Sequence, residues 1–170
     1  YKTFMWPASF WEKVYEPIIR RAAGLGNISF LEDPDHYDRG FLHCDVLVIG
    51  GGPAGLSAAL TAGRAGASVI LADEDFRLGG RLNSETFEID ELSASKYAQD
   101  AAAELESMPN VRVMSRTSVV SSYDHGIYTA VERVSDHLPK TPQGKPRQIF
   151  WRIYSKRAIV CAGAIERPMA

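Results

Sequence analysis

The sequence predicts an α/β fold: a parallel sheet with helices on its faces and a three-stranded antiparallel meander. Three observations carry this. Residues 45–50, DVLVIG, form a short apolar run suited to a strand buried on both faces of a parallel sheet. A glycine-rich stretch follows, then a helix-forming run from about Pro53 to Arg64 that Gly66 stops. Residues 68–72, SVILA, are a second buried strand, so strand, loop, helix and strand fit in about 30 residues, as in a right-handed crossover unit.

Ahead of this unit, residues 1–26 are dense in aromatics. Ser9 and Glu12 suit a capping box. A helix is predicted from there to Ala23, with Gly24 as its stop and Pro17 kinking or splitting it. Residues 24–44 show no period and read as a surface linker. Residues 1–44 are thus predicted to be a helix and linker arm, and 45–170 the main domain.

After the crossover unit, residues 91–108 predict a second helix, with Ala94, Ala98, Ala101, Leu105 and Met108 on one face. Strand VRVM follows at 111–114. Residues 118–123, 127–134 and 148–155 read as three antiparallel strands. A tight hairpin at Asp124-His125-Gly126 joins the first two, and a loop with three prolines joins the last pair. Residues 157–163, RAIVCAG, are the final strand. The parallel sheet is predicted from 45–50, 68–72, 111–114 and 157–162.

Composition sets limits. The 170 residues are 45% hydrophobic and 24% charged, with net charge -2 and pI about 6.1. Neither sign dominates, so a nucleic-acid or anionic-membrane surface is not expected. No apolar run reaches the roughly 18 residues that span a bilayer. The opening lacks a basic stretch followed by an apolar block, so a cytoplasmic protein is expected. Cys44 and Cys161 have no metal-ligand spacing and sit at different levels of parallel strands. Both are expected to be buried thiols rather than a disulfide. The first residue is not Met and the last strand is followed by little chain, as expected of a segment of something longer.

The chemistry lies in the glycines. Gly50-x-Gly52-x-x-Gly55 follows a strand and opens a helix, the context a pyrophosphate loop requires. Gly50 permits the turn, Gly52 leaves room for phosphate, and Gly55 lets helix pack on strand. Pro53 and Ala54 begin the helix whose N-terminus attracts the anion. The domain at 45–170 is therefore read as the N-terminal portion of a Rossmann-like FAD/NAD(P)-binding domain. Asp73 ends the second strand, where a carboxylate accepts from the ribose hydroxyls and repels a 2′-phosphate. This favours NAD or FAD over NADP. Glu74 and Asp75 are competitors for the same role.

Gly79-Gly80-Arg81 resembles the second glycine motif of flavoprotein dinucleotide domains, with Arg81 placed to pair with phosphate charge. Residues 158–168, AIVCAGAIERP, resemble the strand-turn motif that lies against the cofactor in glutathione-reductase-like flavoproteins. Ala162 and Gly163 would approach the dinucleotide, although Cys161-Ala162 stands where Ala-Thr is common. No CxxxxC dithiol follows the first unit, which disfavours a disulfide reductase. The four histidines are scattered, and no catalytic residue or metal site stands out.

The YKTFMWP start, the FWEKVYEPIIRRAAGLG helix, the DPDHYD linker and the HCDVLVIGGGPAGLSAALTAGRAGA unit resemble an internal segment of the α subunit of heterotetrameric sarcosine oxidases. The resemblance implies that this loop holds NAD, that FAD in another subunit oxidises the substrate, and that FMN at a subunit interface passes electrons to oxygen. It implies oxidative demethylation of sarcosine to glycine, with hydrogen peroxide as product. The partners implied are the other oxidase subunits and a small-molecule dinucleotide. Two rivals share the same residues. One is an FAD-binding subunit of another amine or opine oxidoreductase; the other is a non-catalytic nucleotide-binding scaffold. A segment of this kind is expected to be inactive alone and to expose apolar surface.

Overall fold

The computed structural model describes residues 7–24, 26, 28–89 and 91–164. The aromatic residues 1–6 and the Glu166-Arg167-Pro168 turn lie outside the described residues. Two compact units divide between Pro34 and Asp35.

In the first unit a π-helical turn, Trp11–Tyr15, passes into α1, Glu16–Ala22. Pro17 sits in the first turn of α1, where its missing N–H costs little; the backbone stays helical through Tyr15 and Glu16, so the expected split does not occur and a π turn precedes the proline instead. No side chain caps the π turn, so the expected Ser9–Glu12 capping box is not formed.

The second unit has one six-stranded sheet, ordered β5-β2-β1-β8-β7-β6. Its strands are β1 (Tyr37–Ile49), β2 (Val69–Ala72), β5 (Val111–Met114), β6 (Thr117–Tyr123), β7 (Ile127–Arg133) and β8 (Gln148–Val160). β5, β2, β1 and β8 run parallel; β8, β7 and β6 form the antiparallel part. Helix α2 (Pro53–Arg64) fills the first crossover and α3 (Ala94–Ser107) the second. A short hairpin of β3 (Glu88–Ile89) and β4 (Leu92–Ser93) precedes α3, so the helix starts at Ala94, not 91. Ser93 caps it, its hydroxyl accepting from Lys96 N at 3.3 Å. The hairpin at residues 124–126 forms, with His125 at φ 62.

Two sequence expectations are corrected. β1 begins at Tyr37, inside the stretch expected to be linker, and is 13 residues long. Residues 148–155 and 157–160 are one 13-residue strand, not two, so the meander belongs to the main sheet rather than forming an appendage.

The long strands explain both. β1 pairs with β8 from Tyr37↔Gln148 to Ile49↔Val160, but Asp45 and Lys156 drop out of the ladder together. Asp45 N and Val46 N both donate to Ser68 O, at 2.8 and 3.1 Å, as at a bulge. The Ser155 hydroxyl reaches Arg157 O at 2.5 Å. Lys156 and Asp45 then meet as an exposed ion pair at 2.6 Å, which holds the Asp45 carboxyl below its usual range. Both strands thus slip by one residue at one level. Before the slip, Leu42, Cys44, Trp151 and Ile153 face one side; after it, Leu47, Ile49 and Ala158 face that same side.

Two cores result. On one face α2 and α3 cover Val48, Val69 and Leu71, with Leu56, Ala59, Ala98, Ala101 and Leu105 from the helices. Of the expected α3 face only Met108 is partly exposed; it packs at the margin. Among the described residues, the core on the other face is built from strands alone. There Ile153, Ala130 and Cys44 bury against Leu47, Ile70 and Met114. The sheet curls to do this: Arg112 of β5 stacks on Trp151 of β8, 5.0 Å from the ring centre, though two strands, β2 and β1, separate them. The two-residue β5–β6 connection leaves little freedom, and Thr117 N donates to Asp73 O at 2.7 Å. The upper helix-side surface of β1 and β8 stays uncovered, with Phe41 61% and Phe150 45% exposed. Among the described residues no helix is long and apolar enough to cross a membrane.

Candidate functional site

The parallel strands end on one side, and a cleft of about 550 Å³ opens there. β1 delivers Gly50, whose φ of 103° turns the chain sharply. A β-carbon on Gly50 would lie 2.5 Å from the Cys161 carbonyl oxygen, because the end of β8 presses against the loop. A β-carbon on Gly55 would run into the Gly50 carbonyl. These two glycines let loop, helix and strand close on one another.

Gly52 differs. A β-carbon there would meet nothing within 4 Å. Packing therefore does not account for it. It is the N-cap of α2, no side chain caps that helix, and Gly52, Pro53 and Ala54 line the cleft. Unpaired N–H groups at a helix start, with no side chain in the way, suit an anion.

The second glycine pair packs onto the first. Gly79 N donates to Gly51 O at 2.8 Å. A β-carbon on Gly80 would sit 3.2 Å from Gly52 Cα, and Gly80 and Arg81 line the cleft. Arg81 lies on the rim, with its side chain 75% exposed and ion-paired to Glu85 at 2.8 Å. It is thus already engaged within the chain on the side where phosphate pairing was expected.

Asp73 and Glu74 also line the cleft, with the Asp73 carboxylate beside the glycine loop. One Asp73 oxygen accepts from Gly51 N at 2.5 Å, the other from Asp75 N at 2.8 Å. The carboxylate expected to hold ribose also ties the glycine loop to the strand end. Ala162 and Gly163 complete the wall at the end of β8. Of the twelve residues singled out from sequence, Gly55 and Gly79 alone do not line the cleft; they sit behind it.

Cys161 lines the cleft and is only partly buried, which corrects the expectation of two buried thiols. Cys44 is buried, and burial pushes its thiol above the ordinary range. Both cysteines are free. Sequence reasoning missed Thr117, Ser118 and Val119 of β6, which also line the cleft. The available signal was the two-residue connection after β5, which forces β6 to return beside the end of β2. Among the described residues no cluster of histidine, cysteine and carboxylate side chains suits a metal.

Residues 45–136 match the family model for FAD dependent oxidoreductase. The chain is 54% identical over 169 residues to sarcosine oxidase subunit alpha of Rhizobium meliloti (strain 1021), a match covering 99% of this chain and 17% of that protein. It is 39% identical over 149 residues to sarcosine oxidase subunit alpha of Corynebacterium sp. (strain U-96), covering 86% and 15%. The chain therefore spans about a sixth of the length of these curated relatives. Among solved structures, L-proline dehydrogenase from P. horikoshii superposes with a TM-score of 0.60 at 25% identity, over 85% of this chain and 26% of that one.

Proposed function

Because the chain belongs to the FAD dependent oxidoreductase family, we propose that its cleft holds the adenosine diphosphate half of a dinucleotide. The carrying observation is Gly52: open space above an uncapped helix start, in a cleft that Gly80 and Asp73 also line. The diphosphate would lie over residues 52–54 and Gly80, and the ribose against Asp73 and Glu74. Ala162 and Gly163 approach from β8. The cleft is of a size typical for small-molecule sites.

The other half of the dinucleotide is read in two ways. The family match supports FAD; NAD is the reading that the sequence resemblance implies. The adenosine end suits both. When bound, either group supplies redox chemistry that these residues do not. The chain's own residues bind and orient it. In the wider reading this is a cofactor-holding segment of a multi-subunit cytoplasmic sarcosine oxidase, which demethylates sarcosine to glycine and releases hydrogen peroxide. FAD and FMN for that reaction lie elsewhere in the complex.

The test uses the full-length protein in its complex. Nucleotide released by denaturation is identified by chromatography and absorbance. Pyridine nucleotide at one per chain, lost on Gly52→Val, supports NAD; flavin lost on the same substitution supports FAD. A complex that keeps its full nucleotide complement with Gly52→Val overturns the cleft as the site. A scaffold role would leave turnover unchanged when nucleotide is lost.

A further inference from the structure

The acidic turn after β2 carries three successive carboxylates, Asp73, Glu74 and Asp75, all at the cleft. Each of its three backbone carbonyls is held by a hydrogen bond. The Asp73 carbonyl accepts from Thr117 N at 2.7 Å and the Asp75 carbonyl from Arg116 N at 2.8 Å. Those two bonds come with the fold. The middle carbonyl, of Glu74, accepts instead from a side chain, the guanidinium of Arg133 at the end of β7.

That arginine is costly in its own right. Its Nε is buried without a hydrogen-bond partner, and a buried unpaired donor destabilises a fold. An apolar residue would finish β7 without that cost. What the arginine supplies is position and charge. It fixes the centre of the turn and brings a cation behind three anions that repel one another. Arg116 adds a second cation nearby, its guanidinium 5.5 Å from the Phe76 ring centre.

We propose that Arg133 is a positioning residue that sets which ribose the cleft accepts. By pinning residues 73–75 toward the cleft, it keeps the carboxylates where they accept from a free 2′-hydroxyl and exclude a 2′-phosphate. This inference rests on the nucleotide site proposed above. Without the guanidinium the turn relaxes at Glu74, the acceptors move back and the exclusion weakens.

The experiment uses the full-length chain in its complex, stripped of nucleotide, with adenosine 5′-diphosphate and its 2′-phosphorylated analogue as calorimetric probes. The first is the half common to NAD and FAD, and the second differs from it only by the 2′-phosphate. Arg133→Met is expected to weaken the diphosphate about tenfold, the scale of one bond from a charged donor. The 2′-phosphorylated probe weakens less, so the preference for the free hydroxyl narrows severalfold. Arg133→Lys keeps a donor and a charge and should restore most of the preference. It also carries the test if the Met variant does not fold. An unchanged ratio of the two affinities in both variants, or an equal loss for both probes, overturns the inference and leaves the site standing. Wild-type protein that binds neither probe overturns the site itself and the inference with it.

Discussion

The two halves of the β1–β8 ladder are built from the same pairing and do different work. Past the slip at Asp45 and Lys156, the strands are sandwiched: helices lie on one side and the curled sheet on the other, and the strand ends form the cleft. Before the slip, one face packs on the curled sheet and the other is open, carrying Phe41, Phe150 and the stacked His43–Tyr154 pair. One half is scaffold and the other presents a site. Glycine shows the contrast best. Gly40, in the first half, has no room for a β-carbon because the Trp151 ring lies there. Gly52, beyond the second half, has nothing but room. A glycine retained against a wall and a glycine retained against empty space answer to different demands.

The largest effect should come where the site itself is packed. Gly55→Val drives a side chain into the Gly50 carbonyl. It is expected to cost on the order of 3 kcal/mol or more, or to prevent folding, read by chemical denaturation of the full-length chain. A soluble variant with an unchanged midpoint would break the account of the loop.

Next is Ile153→Ala in the core built from strands, where Ile153 is fully buried. A loss of about 2–5 kcal/mol is expected. Less than 1 kcal/mol would show that the curled face is not a true core. Gly40→Ala should cost about 1–3 kcal/mol by displacing Trp151, whose indole N–H donates to Glu132 at 2.6 Å, while leaving nucleotide content intact. Set against Gly52→Val, which should remove nucleotide with little change in the melting temperature measured on nucleotide-free protein, the pair forms a double dissociation. Loss of nucleotide from Gly40→Ala would erase the division between halves. Phe41→Ser, on the open face, should stay within about 0.5 kcal/mol.

The smallest effect concerns the two thiols. Cys161 at the cleft should react with iodoacetamide in the native protein and be shielded by bound nucleotide; Cys44 should not react. Because burial raises the Cys44 pKa, the folded state holds that proton more tightly than the unfolded state does. Its contribution to stability is present below the unfolded thiol's pKa and declines as pH rises from there through the folded value. Cys44→Ala should flatten that alkaline decline in a urea titration, and an unaltered slope would count against it.

What the sequence made legible follows the same division. β2 and the last third of β1 lie between two buried layers, so their apolar runs are continuous; their limits, and those of β5 and α2, nearly match the expected ones. The cleft's glycines were legible because phosphate approach demands glycine in a fixed context. The first half of β1, YDRGFLHC, reads as linker because one face is open and one position must be glycine to admit a tryptophan that lies 111 residues later in the chain. β8 reads as two strands because Lys156-Arg157 interrupts it at the slip. The part of β6 that lines the cleft is ordinary strand sequence; the two-residue connection after β5 is the one signal that it returns there, and the curl of the sheet makes that possible. Arg133 carries no local signal at all, since its partner is a main-chain carbonyl 59 residues away.

The matched slip works like a pair of gear teeth cut at the same height. Removing one residue from β1 alone, at Asp45, would put every side chain above it out of phase with β8, turning Leu42 and Cys44 outward and Phe41 and His43 into the core. Removing Asp45 and Lys156 together would keep the strands in step with each other but swap both faces at once. Neither change can be absorbed locally. Insertions and deletions in this family should therefore collect in loops such as residues 135–147, and the two long strands should keep their spacing as a single inherited unit.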